Sequence, residues 1–385
     1  MRKHVLVDGR TAVNYTMFAP VHAAMRRDPR VQVSFVASEE PTKAAAIFRD
    51  AGPDARVISP LRAVMTKFDA YVTSDFMWAP LLFRTRRIQM FHGVGGKYGF
   101  DAPTESMRVW DRLFFVNRRR LNNCIAKGAI DRDSPAVRLI GMPKVDCLVD
   151  GSLERDRVTR AFGLSSARPT VLYAPTWSPA SSLNRIGLTL VERLRRLPIN
   201  LIVKLHDRSR DLRPQYSGGI DWVAALTPHL ANGTAILAPA ADICPCLAAA
   251  DVMITDHSSA GFEYLLRDRP LVRIHVPELI ELANVHPEYV RLLSDVSEST
   301  SDVDDTVAAV ERALADPSTR SATRRAVAAD LFHEPGSATK RCVAALYEVI
   351  GLDPAAEAVR TPNVEITHSR PEPRPSDSTV CQPSA

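Results

Sequence analysis

Four short stretches combine residue types that could bind and activate a phosphorylated ligand, and each follows an apolar run of strand length. In Met90-Phe91-His92-Gly93-Val94-Gly95-Gly96-Lys97-Tyr98-Gly99, a histidine that can take a proton near neutral pH precedes glycines that let backbone approach a ligand. Lys97 can offset phosphate charge there, although no Ser or Thr follows it, so this is not a Walker A loop. In Tyr173-Ala174-Pro175-Thr176-Trp177, proline stops a strand and leaves a hydroxyl and an indole at its end. In Val203-Lys204-Leu205-His206-Asp207-Arg208, a period of two puts Lys204 and His206 on one face, which suits an anion. The fourth stretch, Ile254-Thr255-Asp256-His257-Ser258-Ser259-Ala260-Gly261-Phe262-Glu263, is the most specific. Ser258 or Ser259 can cap a helix whose small first-turn residues leave N–H groups open to phosphate, and a plain cap has no need of the Asp256-His257 pair.

Positioning these loops requires parallel strands joined by helices. Short β-branched runs predict strands at 5–7, 31–36, 55–58, 70–73 and 88–91, with a helix marked by Tyr15, Phe18, Val21, His22 and Met25 after the first. A pause near 145–168 precedes a second series at 170–174, 201–205, 235–237, 252–255 and 271–275. Helices follow at 304–315 and 319–350, the latter interrupted near Glu334-Pro335-Gly336. The pattern predicts an α/β chain of two Rossmann-like, doubly wound domains, residues 1–150 and 151–352 with C-terminal helices, facing one interdomain cleft. Residues 353–385, rich in Pro, Ser, Thr and Glu, read as a disordered tail.

Composition narrows the function. The 385 residues are 45% hydrophobic and 24% charged, which excludes collagen, coiled coil and global disorder. A net charge of +5 is too small for a dedicated nucleic-acid binder and fits an anionic substrate or an acidic membrane surface. The local clusters Arg84, Arg86, Arg87 and Arg118 to Arg120 suggest peripheral contact with anionic lipid. No apolar run is long enough for a membrane helix and no signal peptide is evident, so a cytoplasmic protein is expected. The six cysteines are scattered, and Cys244-Pro-Cys246 lacks zinc or redox spacing. No acidic pair with metal-ligand spacing falls in the four loops, so neither metal nor cofactor is expected.

The order of these motifs, with Gly141-Met142-Pro143-Lys144-Val145-Asp146 between the first and second, resembles the CDP-glycerol glycerophosphotransferase family of teichoic-acid synthesis across roughly residues 88–270. The resemblance implies a GT-B fold and transfer of glycerol phosphate from CDP-glycerol to a lipid-linked or glycan acceptor at the inner face of the membrane. It implies His92 as base toward the acceptor hydroxyl and His206 at the donor phosphates. Ser258, Ser259, Lys204 and Thr176 would bind the phosphates, with Gly93, Lys97, Asp256, His257 and Glu263 in support. The chain departs from the family pattern with Val94-Gly95-Gly96 before Lys97, Asp207 after His206, and His257 after Asp256. The same parts would serve a glycosyltransferase using a UDP- or GDP-sugar, or a non-catalytic nucleotide- or polyanion-binding protein.

Overall fold

A computed structural model describes residues 2–95, 105–230, 233–238 and 241–353. Lys97 and Gly96 of the first loop and residues 354–385 lie outside the described residues. The first sheet contains β1 (Lys3–Asp8), β2 (Val31–Val36), β3 (Arg56–Val57), β4 (Ala70–Thr73), β5 (Arg86–Met90), β6 (Arg112–Phe115) and β7 (Val137–Leu139), in the order β3-β2-β1-β4-β5-β6-β7. The second contains β8 (Thr170–Tyr173), β9 (Asn200–Val203), β10 (Ala235–Leu237), β11 (Val252–Thr255), β12 (Leu271–Ile274) and β13 (Ser297–Thr300), in the order β10-β9-β8-β11-β12-β13. All described neighbours pair in parallel, so every strand in a sheet delivers its C-terminal end to the same side.

The predicted strands all form, and three more join them. Neither β7 nor β13 announces itself: each lies at a sheet edge, pairs on one side only, and needs little apolar sequence. Thus Ser297-Glu298-Ser299-Thr300 is a strand with no apolar side chain. β6 differs, since its Leu113-Phe114-Phe115 run is buried and is a legible strand signal. The helix Ala12–Met25 buries Tyr15, Phe18, Val21, His22 and Met25 as its spacing requires.

Although it follows the second sheet in sequence, the last helix, Ala338–Ile350, packs on the helix Ala12–Met25 of the first half. Tyr347 donates its hydroxyl to Asp28 at 3.1 Å, and Arg138 pairs with Glu348 at 2.5 Å. The buried Asp146 carboxylate receives the backbone N–H groups of Gly336, Ala338 and Thr339 at 2.7, 3.1 and 2.7 Å, satisfying the start of that helix. Gly141 holds a left-handed φ of 86°, and a Cβ there would lie 2.6 Å from the His333 carbonyl oxygen. The Gly141–Asp146 motif is therefore the joint at which the end of the chain rejoins its beginning.

Replacing Asp146 by Ala strands three donors, two of them buried, and is expected to cost about 3 kcal/mol of unfolding free energy, read from urea denaturation. A loss below about 0.5 kcal/mol would contradict the capping role.

Candidate functional site

The two sheets turn their C-terminal strand ends toward each other at both flanks. Beyond β7, Lys144 Nζ sits 2.9 and 2.7 Å from the two carboxylate oxygens of Glu263, which follows β11. Both side chains are almost fully buried. Burial alone would lower the Lys144 pKa, but the Glu263 charge outweighs it and holds the ammonium above its ordinary range. Beyond β2, Asp50 lies within electrostatic reach of Lys204, Asp207 and Asp242, which follow β9 and β10. Asp50 stays exposed to solvent, and partial desolvation first, then the Asp242 charge, push its carboxyl up.

His92 stands just past β5, half-exposed. Its Nδ1 lies 2.7 Å from the carbonyl oxygen of Ser74, and because a carbonyl can only accept, Nδ1 carries the proton. Nε2 of the neutral ring is then the acceptor. Asp75 places a carboxylate oxygen 3.6 Å from the same Nδ1, where it would stabilise an imidazolium. The following loop is clamped: Arg120 donates to the Gly93 carbonyl at 3.2 Å and covers the Phe91 ring at 4.0 Å. Asn117 donates to the carbonyls of Val94 at 2.6 Å and Leu331 at 2.9 Å.

His206 has the opposite arrangement. Its Nδ1 accepts the backbone N–H of Arg208 at 3.1 Å, capping the short helix Asp207–Arg210, so the neutral ring carries its proton on Nε2. Its ring lies 6.3 Å from that of Trp177, and Arg208 spans the Trp177 and Tyr216 rings at 4.4 and 5.2 Å. Lys204 does not share a face with His206. The strand ends at Val203, so alternation lapses, and Lys204 folds into the interior with Nζ 2.8 Å from the Leu205 carbonyl. Burial lowers its pKa.

In the fourth loop, Asp256 is fully buried and receives the Thr176 N–H at 2.8 Å and the Ser182 N–H and hydroxyl at 3.1 and 3.0 Å. It locks the loop after β8 to the loop after β11, which explains the polar pair that a simple helix cap did not require. His257 is also fully buried, edge-on to the His275 ring at 6.2 Å, and does not line the cleft. Ser258 accepts the Ala260 N–H at 3.3 Å, while Ser259 is exposed at the start of the helix Ala260–Tyr264. Gly261 lets that helix approach Leu293, whose Cδ1 would meet an added Cβ at 3.0 Å. Thr176, Trp177, His206, Asp256 and the two serines are thus gathered in one half, opposite His92. Ser74 and Asp75, which orient His92, were missed. The signal was available, because Ser74-Asp75 is a polar pair directly after a buried strand.

A cavity of about 490 Å³ opens at the N-terminal ends of β12 and β13, at the other end of the sheet from these loops. Three arginines line it, of which Arg312 and Arg324 are paired with Glu298 and Asp268.

Two facing parallel sheets with polar loops meeting at their strand ends define the GT-B fold. The wall teichoic acid polymerase TagF, in a variant form, shares it with a TM-score of 0.67 at 16% identity, over 91% of this chain and 89% of that one. A UDP complex of S. aureus MnaA shares it with a TM-score of 0.56 at 14% identity, over 91% and 98% of the two chains. The sequence profile of the CDP-Glycerol:Poly(glycerophosphate) glycerophosphotransferase family matches residues 21–348, and the chain belongs to that family. The teichoic acid poly(glycerol phosphate) polymerase of Staphylococcus epidermidis is 26% identical over 188 residues, 45% of this chain. That match spans about a quarter of the relative's length, 24%.

Replacing Lys144 by Met leaves Glu263 buried without its partner and is expected to cost about 3–5 kcal/mol at pH 7, much of it recovered when Glu263→Leu is added. Because the folded-state pKa of Lys144 is raised, the pair's stabilisation is complete at neutral pH. It declines only as pH rises beyond the ordinary lysine value of about 10.4. Urea unfolding of both variants between neutral and strongly alkaline pH checks the size and the sign.

Proposed function

We propose that the protein transfers a glycerol-phosphate, or related polyol-phosphate, group from a CDP-linked donor to a hydroxyl of a lipid-linked or glycan acceptor in cell-envelope polymer synthesis. One observation carries the reading: the two histidines hold opposite tautomers on opposite sides of the cleft, one fixed by a carbonyl and the other by an amide. His92 is therefore an acceptor of protons and His206 a donor of hydrogen bonds. Family membership favours the CDP-polyol donor over a UDP- or GDP-sugar. The first half takes the acceptor side, and the second takes the nucleotide side. An acceptor on a lipid carrier places the reaction at the inner face of the plasma membrane.

In the proposed reaction, the acceptor O–H gives its proton to His92 Nε2 as its oxygen attacks the glycerol-side phosphorus. The bond from that phosphorus to the bridging oxygen breaks and CMP leaves with the electron pair. Ser74 and Asp75 stabilise the imidazolium that forms. The His206 Nε2–H and the Ser258–Ser259 loop stabilise charge on the phosphates, with Asp256 fixing the Thr176 turn.

Replacement of His92 by Ala is expected to lower kcat with CDP-glycerol by about 10²–10⁴-fold while leaving donor affinity within about twofold. Asp75→Asn should lower kcat by about tenfold with the donor KM unchanged. Unaltered turnover in His92→Ala contradicts its role as base. Thermal shifts with CDP-glycerol, CDP-ribitol, UDP-sugars and GDP-sugars test the donor: stabilisation by the CDP-polyols supports the reading, and selective stabilisation by a UDP- or GDP-sugar overturns it.

A further inference from the structure

The turn that orients His92 is itself held by the strand that leads to His92. Ser74-Asp75-Phe76-Met77 carries the chain out of β4, and its Ser74 carbonyl and Asp75 carboxylate face His92 Nδ1. Phe76 has a left-handed φ of 54°, a region that a residue with a bulky side chain avoids. Such a conformation persists only where its surroundings impose it.

The Gln89 side chain imposes it. Gln89 lies on β5 directly opposite Thr73 of β4, and its Oε1 accepts the Phe76 N–H at 2.9 Å. Because an N–H can only donate, the oxygen end of the amide must face it, which fixes the amide's orientation. The Phe76 ring then closes on Phe91 and Trp110, with centroids 5.5 and 6.2 Å away. From the other side, Asn14 of the helix Ala12–Met25 donates to the Ser74 hydroxyl at 2.9 Å. Asn14 has a second duty, since its Oδ1 accepts the N–H groups of Arg10 and Thr11 at the start of that helix.

Gln89 has no such second duty, and its position is costly. β5 pairs on both sides, and Gln89 is fully buried between the apolar Ile88 and Met90. Its amide nitrogen has no hydrogen-bond partner among the described residues, so packing alone would be better served by an apolar side chain. What Gln89 gains in return is the bond that fixes the Phe76 turn.

We propose that Gln89 sets the tautomer of His92 and is thereby a positioning residue for the base. Its Oε1 pins the Phe76 N–H, the pinned turn aims the Ser74 carbonyl two residues earlier at His92 Nδ1, and Nε2 is left to take the acceptor's proton. Gln89 touches neither substrate nor reacting atoms. The inference rests on the reading of His92 as base for its purpose, but the tautomer is read without turnover, so either can fail alone.

Nitrogen-15 NMR of the histidine rings in the full chain, at mildly alkaline pH, supplies the test, with His92 assigned by its absence from His92→Gln. The wild-type ring should carry its proton on Nδ1. Gln89→Met keeps the side-chain length but removes the acceptor, and should shift the tautomer ratio toward Nε2–H by about tenfold. Gln89→Glu restores an acceptor and should restore the wild-type tautomer. In turnover with CDP-glycerol, Gln89→Met should lower kcat by about tenfold with the donor KM within about twofold, and Gln89→Glu should recover most of the loss. One measurement needs no substitution: the wild-type Phe76 amide should exchange its hydrogen about a hundredfold more slowly than an unprotected amide. An unchanged His92 tautomer in folded Gln89→Met, or a Phe76 amide that exchanges at the unprotected rate, overturns the proposal.

Discussion

The buried ion pair between Lys144 and Glu263 joins the strand ends of the two sheets, and the geometry of the candidate site depends on it. Lys144 follows the last strand of the first sheet and Glu263 opens the helix after a central strand of the second, so the pair is a bond between strand ends. An isolated charge at that depth would cost several kcal/mol, which leaves the two halves little freedom to part at this flank. On either side of Lys144, Gly141 leaves room for the His333 backbone to pack closely and Asp146 binds the start of the last helix. Six consecutive residues thus fasten the second half and the returning C-terminus onto the first. The residues read as a family motif form a structural joint, and their value to the chemistry is to hold the cleft.

Within the cleft, backbone groups decide what each histidine can do. The Ser74 carbonyl and the Arg208 amide cost the chain nothing extra, since each belongs to a turn needed to leave a strand. They nonetheless assign the proton to Nδ1 in one ring and to Nε2 in the other. A buried carboxylate does comparable work through Asp256, which accepts three hydrogen bonds and holds two loops in register. Preorganisation of this kind suits phosphoryl transfer, where positioning and charge stabilisation account for most of the rate.

Much of this was legible in the sequence, for identifiable reasons. Central strands such as Val252–Thr255 are buried on both faces and must be apolar, so they read clearly, and the polar residues directly after them stand out. The edge strands 55–58 and 235–237 were read from their apolar residues, whereas the edge strand Ser297–Thr300 escaped because it has no apolar side chain. Lys204 was misplaced because period-two reasoning was carried past Val203, where the strand stops. The roles of Asp256, His257 and Glu263 were not legible, because partners such as Ser182 and Lys144 lie 74 and 119 residues away and no local pattern announces them. The return of the last helix to the first half was hidden for the same reason: Thr339 and Asp146 are 193 residues apart.

A crystal structure of the full chain with bound CDP-glycerol tests the central claim most directly. The account predicts the diphosphate within hydrogen-bond reach of His206 Nε2 and the Ser258–Ser259 loop, with the glycerol-side phosphorus turned toward His92 Nε2. Diphosphate bound at the far end of the second sheet, in the cavity beside Arg312 and Arg320, with the strand-end loops empty, would contradict it.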